Sequence, residues 1–501
     1  MFPFPRPLFP FFSAILASGL VSIASAEKQT PLAKPPNIIF ILTDDQGYGD
    51  ISAHGNPVLK TPHLDRLRAE SVSFDDFHVS PTCAPTRSAI HTGRHEFMNG
   101  VTHTIFERER LTLDAITLPE VLGAAGYVTG IFGKWHLGDE DAYQPGKRGF
   151  TESFIHGAGG IGQSYPGSCG DAPGNKYFDP FVRHNGKFVR TEGYCTDVFF
   201  EQARSWMKTQ HAAGKPFFVN ITTNAPHSPY IARDEDAALY LDKVPDRETA
   251  HFFGMIHNID ENIGKLMEDL KRMGIDRETI VIFMNDNGTA RGDKIFNAGK
   301  RGKKGSPWLG GTRVSSFWRW PGKWKPGVRK QLAAHIDVFP TLAEIAGAKL
   351  PEQAEKQIEG RSLKPLLEAA DAAWPDRKIF THVGRWPKSA NPDDFKFANA
   401  AVRNTRWAMV STKGGKKPDW QLFDLKKDPG QKTDVAAGNP EVVKELAGAF
   451  DEWWARCRPM MVNENAVGPE LNSFAAAYWE QFGGGPTEAQ RQRMKPEQPG
   501  K

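Results

Sequence analysis

Four short apolar runs constrain this chain most, because each stops at residues that can do chemistry. "NIIFIL" (37–42) runs into Thr43, Asp44 and Asp45, and "YVTGIF" (127–132) into Gly133, Lys134, Trp135 and His136. "PFFVNITT" (216–223) runs into Asn224, Ala225, Pro226 and His227, and "TIVIFMN" (279–285) into Asp286, Asn287 and Gly288. Each is short, rich in β-branched or aromatic residues and bounded by turn residues, the pattern of a buried strand. Between them lie the helical patterns "TLPEVLGAAGY", "TDVFFEQARSWMKTQ" and "MIHNIDENIGKLMEDLKRMG", the last closed by a glycine C-cap. Strands alternating with helices predict an α/β domain with a mostly parallel central sheet flanked by helices. Ligands of such sheets bind beyond the carboxyl ends of the strands. The four polar clusters therefore converge on one rim.

Downstream the pattern changes. "KIFTHV", "NAAVRNTRWAMVST" and "DWQLFDL" read as antiparallel strands, followed by the helix "NPEVVKELAGAFDEWWARC". The expected organisation is a leader over 1–26, a large domain over 27–377, a smaller C-terminal α+β domain over 378–460 and a loop-rich tail over 461–501. The leader follows from Arg6, the apolar "LFPFFSAILASGLVSIASA" and the small residues Ala24, Ser25 and Ala26. It predicts export to a periplasmic or extracellular compartment. No later apolar run reaches the ~20 residues a membrane span needs. A net charge of +4 with dispersed Lys and Arg resembles neither a nucleic-acid-binding tail nor a polybasic membrane patch.

Asp44, Asp45, Asp286 and Asn287 are hard oxygen donors. Together they would repel one another unless a cation sat between them, and oxygen-only ligation suits Ca²⁺ or Mg²⁺ rather than zinc. Either pair alone reads more simply as a helix cap or a turn. Arg87, Lys134, His136, His227 and Lys304 form a second group. Gathered beside a cation they describe a pocket for a tetrahedral oxyanion such as sulfate or phosphate. Gly157 to Gly162 match G-x-G-x-x-G, but "QSYPGSCGDAPG" follows instead of a helix, so the stretch reads as a loop near the rim.

Of the four cysteines, Cys169 and Cys195 bracket one Gly/Pro-rich insertion and are expected to pair, leaving Cys83 and Cys457 free. In "PTCAPTRSAIHTGR" (81–94), Pro85 suits a first helical turn, which places Cys83 at the positive helix end with Arg87 on the same face. A thiolate there would be activated, so a cysteine hydrolase is a rival reading. A thiolate is nevertheless a poor partner for an oxygen-preferring metal.

"CAPTRSAIHTGR" resembles the sulfatase signature, in which Cys-x-Pro-Ser/Thr-Arg directs oxidation of the cysteine to Cα-formylglycine. "NIIFILTDDQGYGD", "GKWHLG", "NAPHSPY", "FMNDNG", "GKKGSPWLGG" and the C-terminal "WQLFDLKKDPGQKTDVA" resemble the family's other landmarks, in the family's order. The likeness spans roughly residues 36 to 460. It implies an alkaline-phosphatase-like α/β fold with a small C-terminal domain carrying an antiparallel sheet. It implies metal ligation by Asp44, Asp45, Asp286, Asn287 and the formylglycine from Cys83, with Ca²⁺ ahead of Mg²⁺. Arg87 would hold the formylglycine, Lys134 and Lys304 would contact sulfate, His136 would be the base beside the formylglycine hydroxyls, and His227 would face the bridging oxygen. Leu309 and Ser315 depart from the family's usual Glu and Pro.

The implied chemistry explains the cysteine. Attack on sulfur by a serine would leave a stable sulfate ester, whereas a gem-diol can expel sulfate as the aldehyde re-forms. The expected partners are a formylglycine-generating enzyme during maturation and a sulfated small molecule or carbohydrate as substrate. A phosphonate or phosphodiester hydrolase is the alternative activity, and an anion-binding protein the alternative if Cys83 stays unmodified.

Overall fold

The four apolar runs form adjacent parallel strands in the computed structural model, which describes residues 1–4, 35–165, 167–488 and 491. They are β1 (Asn37–Thr43), β2 (Val128–Lys134), β3 (Phe217–Thr222) and β4 (Thr279–Asn285). In a ten-stranded sheet the order across the centre is β4, β1, β3, β2. Glu152–His156 continues the parallel set beyond β2, while Ser316–Arg319 beside β4 and the hairpin Phe181–His184 with Lys187–Arg190 add antiparallel edges.

Every residue of β1 and β4 is buried, because both sheet faces are covered. Ile38, Phe40 and Leu42 join Ile280, Ile282 and Met284 in the core on one face. Ile39 and Ile41 join Val281 and Phe283 on the other. Helix α1 (Cys83–Thr92) contributes Ala84 and Ile90 to the first face. Helices α2 (Cys195–Ala212) and α3 (Arg247–Arg272) cover the second through Phe199, Met207, Met255, Ile259, Ile263 and Leu266. The N-terminus of α3 is capped by the Asp246 side chain, which accepts from the Thr249 amide at 2.8 Å.

The C-terminal part holds a four-stranded antiparallel sheet, Ile379–His382, Ala400–Arg403, Trp407–Ser411 and Gln421–Asp424. Helix α4 (Pro440–Cys457) packs on it through Leu446, Phe450, Trp453 and Trp454. The described residues from Pro35 onward form one compact unit.

Two expectations are corrected. All four cysteines are free and buried. Cys169 Sγ faces the Thr104 carbonyl at 3.4 Å, while Cys195 opens α2 among Tyr177, Phe199 and Phe200 in the apolar core. Each thiol is absorbed by its own packing, so the insertion is held without a bridge. The tail also carries more than loops: helix α5 (Ser473–Phe482) starts at an Asn472 side-chain cap and buries Phe474 completely. Phe474 and Tyr478 pack on Phe188 with ring centroids 5.8 and 5.6 Å apart, closing the outer sheet edge. The leader lies outside the described residues apart from positions 1–4. Among the described residues no helix is long and apolar enough to cross a membrane.

Candidate active site

Strand register builds the site. Thr43 pairs with Asn285, Leu42 with Thr222, and Gly133 with Thr222, so the next residues of all four strands emerge at one level. Asp44 and Asp45 follow β1, Asp286 and Asn287 follow β4, Lys134 ends β2 and His227 lies just beyond β3. Backbone bonds tie the exits together: the Asp286 amide donates to the Thr43 carbonyl (3.0 Å) and the Asp44 amide to the Ala225 carbonyl (3.3 Å). Asp45 has φ 65°, a left-handed turn that aspartate tolerates better than most residues.

Helix α1 points its N-terminus at this rim, with Cys83 as its first residue and 2% exposed. One turn on, the buried Arg87 guanidinium donates to Asp286 Oδ2 (2.8 Å) and to the Lys134 carbonyl (3.3 Å), and lies 3.9 Å from Asp44. Lys134 Nζ pairs with Asp44, and Lys304 Nζ lies 2.6 Å from Asp45 Oδ1. The Asn287 amide donates to Asp45 Oδ1 (3.0 Å), and the Asp45 amide to Asp286 Oδ1 (3.1 Å). Burial and the neighbouring Asp44 charge push the Asp286 carboxyl up to about 7. Burial opposes ionisation of Asp45 as well, but Lys304 and His227 hold it well below the usual carboxylate range.

The donor set fits a divalent cation. Asp44 Oδ1 and Asn287 Oδ1 are buried oxygens without a hydrogen-bond partner, and such orphaned acceptors are costly unless a positive centre meets them. Ligand atoms of Asp44, Asp45 and His227 lie within 4.8 Å of one another.

The two histidines present different nitrogens. His136 Nε2 lies 2.7 Å from the Thr104 carbonyl, which can only accept, so Nε2 carries the proton. Its Nδ1 lone pair then faces Cys83 Sγ at 3.5 Å. Burial, with Lys134 close by, pushes the His136 imidazole well below its ordinary value, which keeps the ring neutral. His227 is reversed: Nδ1 donates to the Ser228 carbonyl (2.7 Å), leaving Nε2 3.8 Å from Asp45 Oδ2. Burial and Lys304 lower its imidazole to about 4.

The residues named from the sequence as metal ligands, anion contacts and bases thus meet at one rim. The sulfatase family profile matches residues 36–348. The chain belongs to the sulfatase family. It is a sulfuric ester hydrolase by that membership, with the alkaline-phosphatase-like fold. A second profile, the C-terminal part of N-sulphoglucosamine sulphohydrolase, matches residues 310–452 of this sulfatase. The rat N-acetylgalactosamine-6-sulfatase is 31% identical over 75% of this chain and 72% of its own length. Human arylsulfatase A is 30% identical over 83% of this chain and 87% of its own. The solved structure of Ps i-CgsB in complex with k-i-k-neocarrahexaose superposes with TM-score 0.75 at 28% identity, covering 89% of this chain and 97% of that one.

The sequence places the glycine loop near the rim but not its contacts, and other parts of the sulfatase site carry no sequence signal. The glycine loop 157–162 passes directly over both histidines: a Cβ on Gly159 would lie 3.3 Å from the His136 ring, and one on Gly160 3.0 Å from His227 Nδ1. Glycine is needed there for close approach, not for phosphate binding. The Thr104 carbonyl, 32 residues from His136 in sequence, acts through its backbone and leaves no side-chain signature. Tyr177 Oη donates to the His227 carbonyl (2.7 Å) and fixes that turn from the same insertion.

Proposed function

We propose that this sulfatase is exported and hydrolyses an O-sulfate ester on a carbohydrate, using a formylglycine made from Cys83 and a Ca²⁺ ion held at the carboxylate rim. The observation that carries the reading is the approach of residue 83 to the bare Nδ1 of His136 at 3.5 Å, between three carboxylates and three cations. The carbohydrate part is supported by the rat relative's name, N-acetylgalactosamine-6-sulfatase, and by the neocarrahexaose in the Ps i-CgsB structure.

Asp44, Asp45, Asp286 and Asn287 would hold the ion, which when bound supplies positive charge against the negative charge that grows on sulfate oxygens. The formylglycine, once made, supplies a hydroxyl nucleophile as its hydrate. The other roles belong to the chain's own side chains. Lys134 and Lys304 are cations at the rim and bind the non-bridging oxygens of the entering sulfate. Arg87 holds the strand ends and the helix start in one geometry. His136 Nδ1 accepts a proton from the hydroxyl at position 83. His227 Nε2 faces the incoming group and delivers a proton to the departing oxygen; an arriving anion beside it favours the protonated ring that this role requires.

Mass analysis of the peptide spanning Cys83 tests the reading. An aldehyde in place of the thiol is expected in active protein, with activity lost on chelation and restored by Ca²⁺. Full activity with an unmodified thiol would instead identify a cysteine hydrolase. Faster turnover of phosphate or phosphonate esters than of matched sulfate esters would move the substrate class.

A further inference from the structure

Beside the rim stands a cation that the reaction above leaves unused. Arg385 is exposed, and its Nη2 donates to Thr104 Oγ1 at 3.0 Å. The carbonyl of that same threonine fixes His136. One residue therefore joins the base of the reaction to a guanidinium at the surface.

The backbone holds Arg385 there at a cost. It has φ 61°, in the left-handed region that arginine disfavours. Both neighbours are clamped. Gly384 is pressed against the Thr102 carbonyl, which a Cβ would strike, and its amide donates to His382 Nδ1 (2.8 Å). Trp386 is buried, donates from Nε1 to Glu464 (2.6 Å) and takes the Arg108 guanidinium over its ring at 4.6 Å. The Arg385 amide itself donates to the Thr102 carbonyl (3.1 Å).

The guanidinium has no carboxylate within ion-pair distance among the described residues, although acids are close by. Glu464 is committed to Arg108 (3.3 Å) and Trp386, and Glu107 to Lys388 (3.2 Å). The facing segment is strained too: Phe106 and Glu107 have φ 65° and 63°, and Phe106 packs against His103 with ring centroids 5.4 Å apart. A short chain of contacts links Arg385 to residue 83: Arg385 Nη2 to Thr104 Oγ1 at 3.0 Å, the Thr104 carbonyl to His136 Nε2 at 2.7 Å, and His136 Nδ1 to Cys83 Sγ at 3.5 Å.

We infer that Arg385 is a specificity-determining residue that binds a second anionic group of the substrate, a carboxylate or another sulfate, while the scissile sulfate sits between Lys134 and Lys304. A planar guanidinium suits either group bidentately. The half-buried Phe106, two residues from Thr104, offers an aromatic face suited to the apolar face of a sugar ring. This assignment rests on the sulfatase reading and makes the preferred substrate a polyanionic sugar.

The test compares wild type with Arg385→Ala and Arg385→Lys in two assays. Steady-state kinetics use 4-nitrophenyl sulfate, a singly sulfated neutral sugar, a disulfated sugar and a singly sulfated sugar linked to a uronate. Calorimetry uses the same sugars with the Cys83→Ala background, which cannot turn over. Arg385→Ala is expected to lower kcat/KM on a dianionic sugar about tenfold more than on the neutral one, chiefly through KM, with a matching loss in calorimetry and partial recovery in Arg385→Lys. The dianionic sugar that loses most identifies carboxylate or sulfate as the second group. Equal losses on all probes, or a wild type that binds dianionic sugars no better than singly charged ones, would overturn the assignment. Arg385-dependent binding of dianionic sugars by a wild type that hydrolyses no sulfate ester would uphold it and sink the hydrolytic reading instead.

Discussion

His136 Nε2 is 2.7 Å from the Thr104 backbone oxygen, and this single contact decides which nitrogen meets residue 83. A carbonyl cannot donate, so the free lone pair is on Nδ1, toward Cys83. In the proposed mechanism His136 is therefore the base on the group at position 83, acting after the alcohol has left. His136→Ala should slow aryl and sugar sulfates toward one common turnover rate, with a burst of released alcohol before it. Rates that keep their full dependence on the leaving group, with no burst, would place His136 in an earlier step.

The proposed role of His227 on the departing oxygen makes its importance follow the leaving group's need for a proton. General acid catalysis typically contributes about 10²–10⁴-fold, and less as the leaving group becomes more acidic. His227→Ala should therefore damage hydrolysis of sugar sulfates far more than that of nitrophenyl sulfate. Equal losses on both would transfer the acid role to Lys304, whose Nζ is 2.6 Å from Asp45 in the same pocket.

Gly160 sets how closely the insertion approaches His227. A Cβ there would lie 2.9 Å from the Ser228 carbonyl and 3.0 Å from His227 Nδ1, inside the hydrogen bond that orients the ring. Gly160→Ala should lower kcat/KM about tenfold or more, because a small displacement of a positioned catalytic group is enough to do so. The melting temperature should stay within a few degrees, because the glycine brings no side chain to the core. A variant with wild-type kinetics would show that the loop can retreat without moving His227.

Buried acids away from the rim give the protein a pH dependence of known sign. Burial, then the neighbouring Asp139, raises the Glu109 carboxyl from its ordinary 4.5 to about 8, against the opposing Ser168 hydrogen bond. Burial likewise raises Asp139 to about 7. A raised acid favours the fold while protonated: its contribution is complete below the unfolded value and is lost as pH climbs through the folded one. The contribution of these two acids to stability should fall between about pH 5 and pH 8, by up to about 1.4 kcal/mol per pH unit for each group. Glu109→Gln should flatten that slope in thermal unfolding, and an unchanged slope would show that Glu109 is ionised in the folded protein.

The parts of the site legible in the chain are those attached to regular elements. Asp44, Lys134, His227 and Asp286 follow or end apolar runs, so once the runs are strands of one parallel sheet their ends share a rim. Cys83 and Arg87 are fixed by helix spacing alone. The insertion between β2 and α2 has no such ruler. Cys169 and Cys195 look suited to bridging because sequence separation says nothing about where two thiols point. Helix α5 escapes detection because ten residues after a loop-rich stretch form a helix only when Phe474 and Tyr478 find the outer sheet edge.

Hydrophobic periodicity and helix spacing are local properties, so the strands, the helices between them and the reactive side chains at their ends are written in the order of residues. The free nitrogen of His136, the passage of Gly159 and Gly160 over the histidines and the station of Arg385 are not. They depend on a backbone carbonyl, an absent Cβ and a clamped turn. Each of these reaches the rim only through packing between segments far apart in the chain.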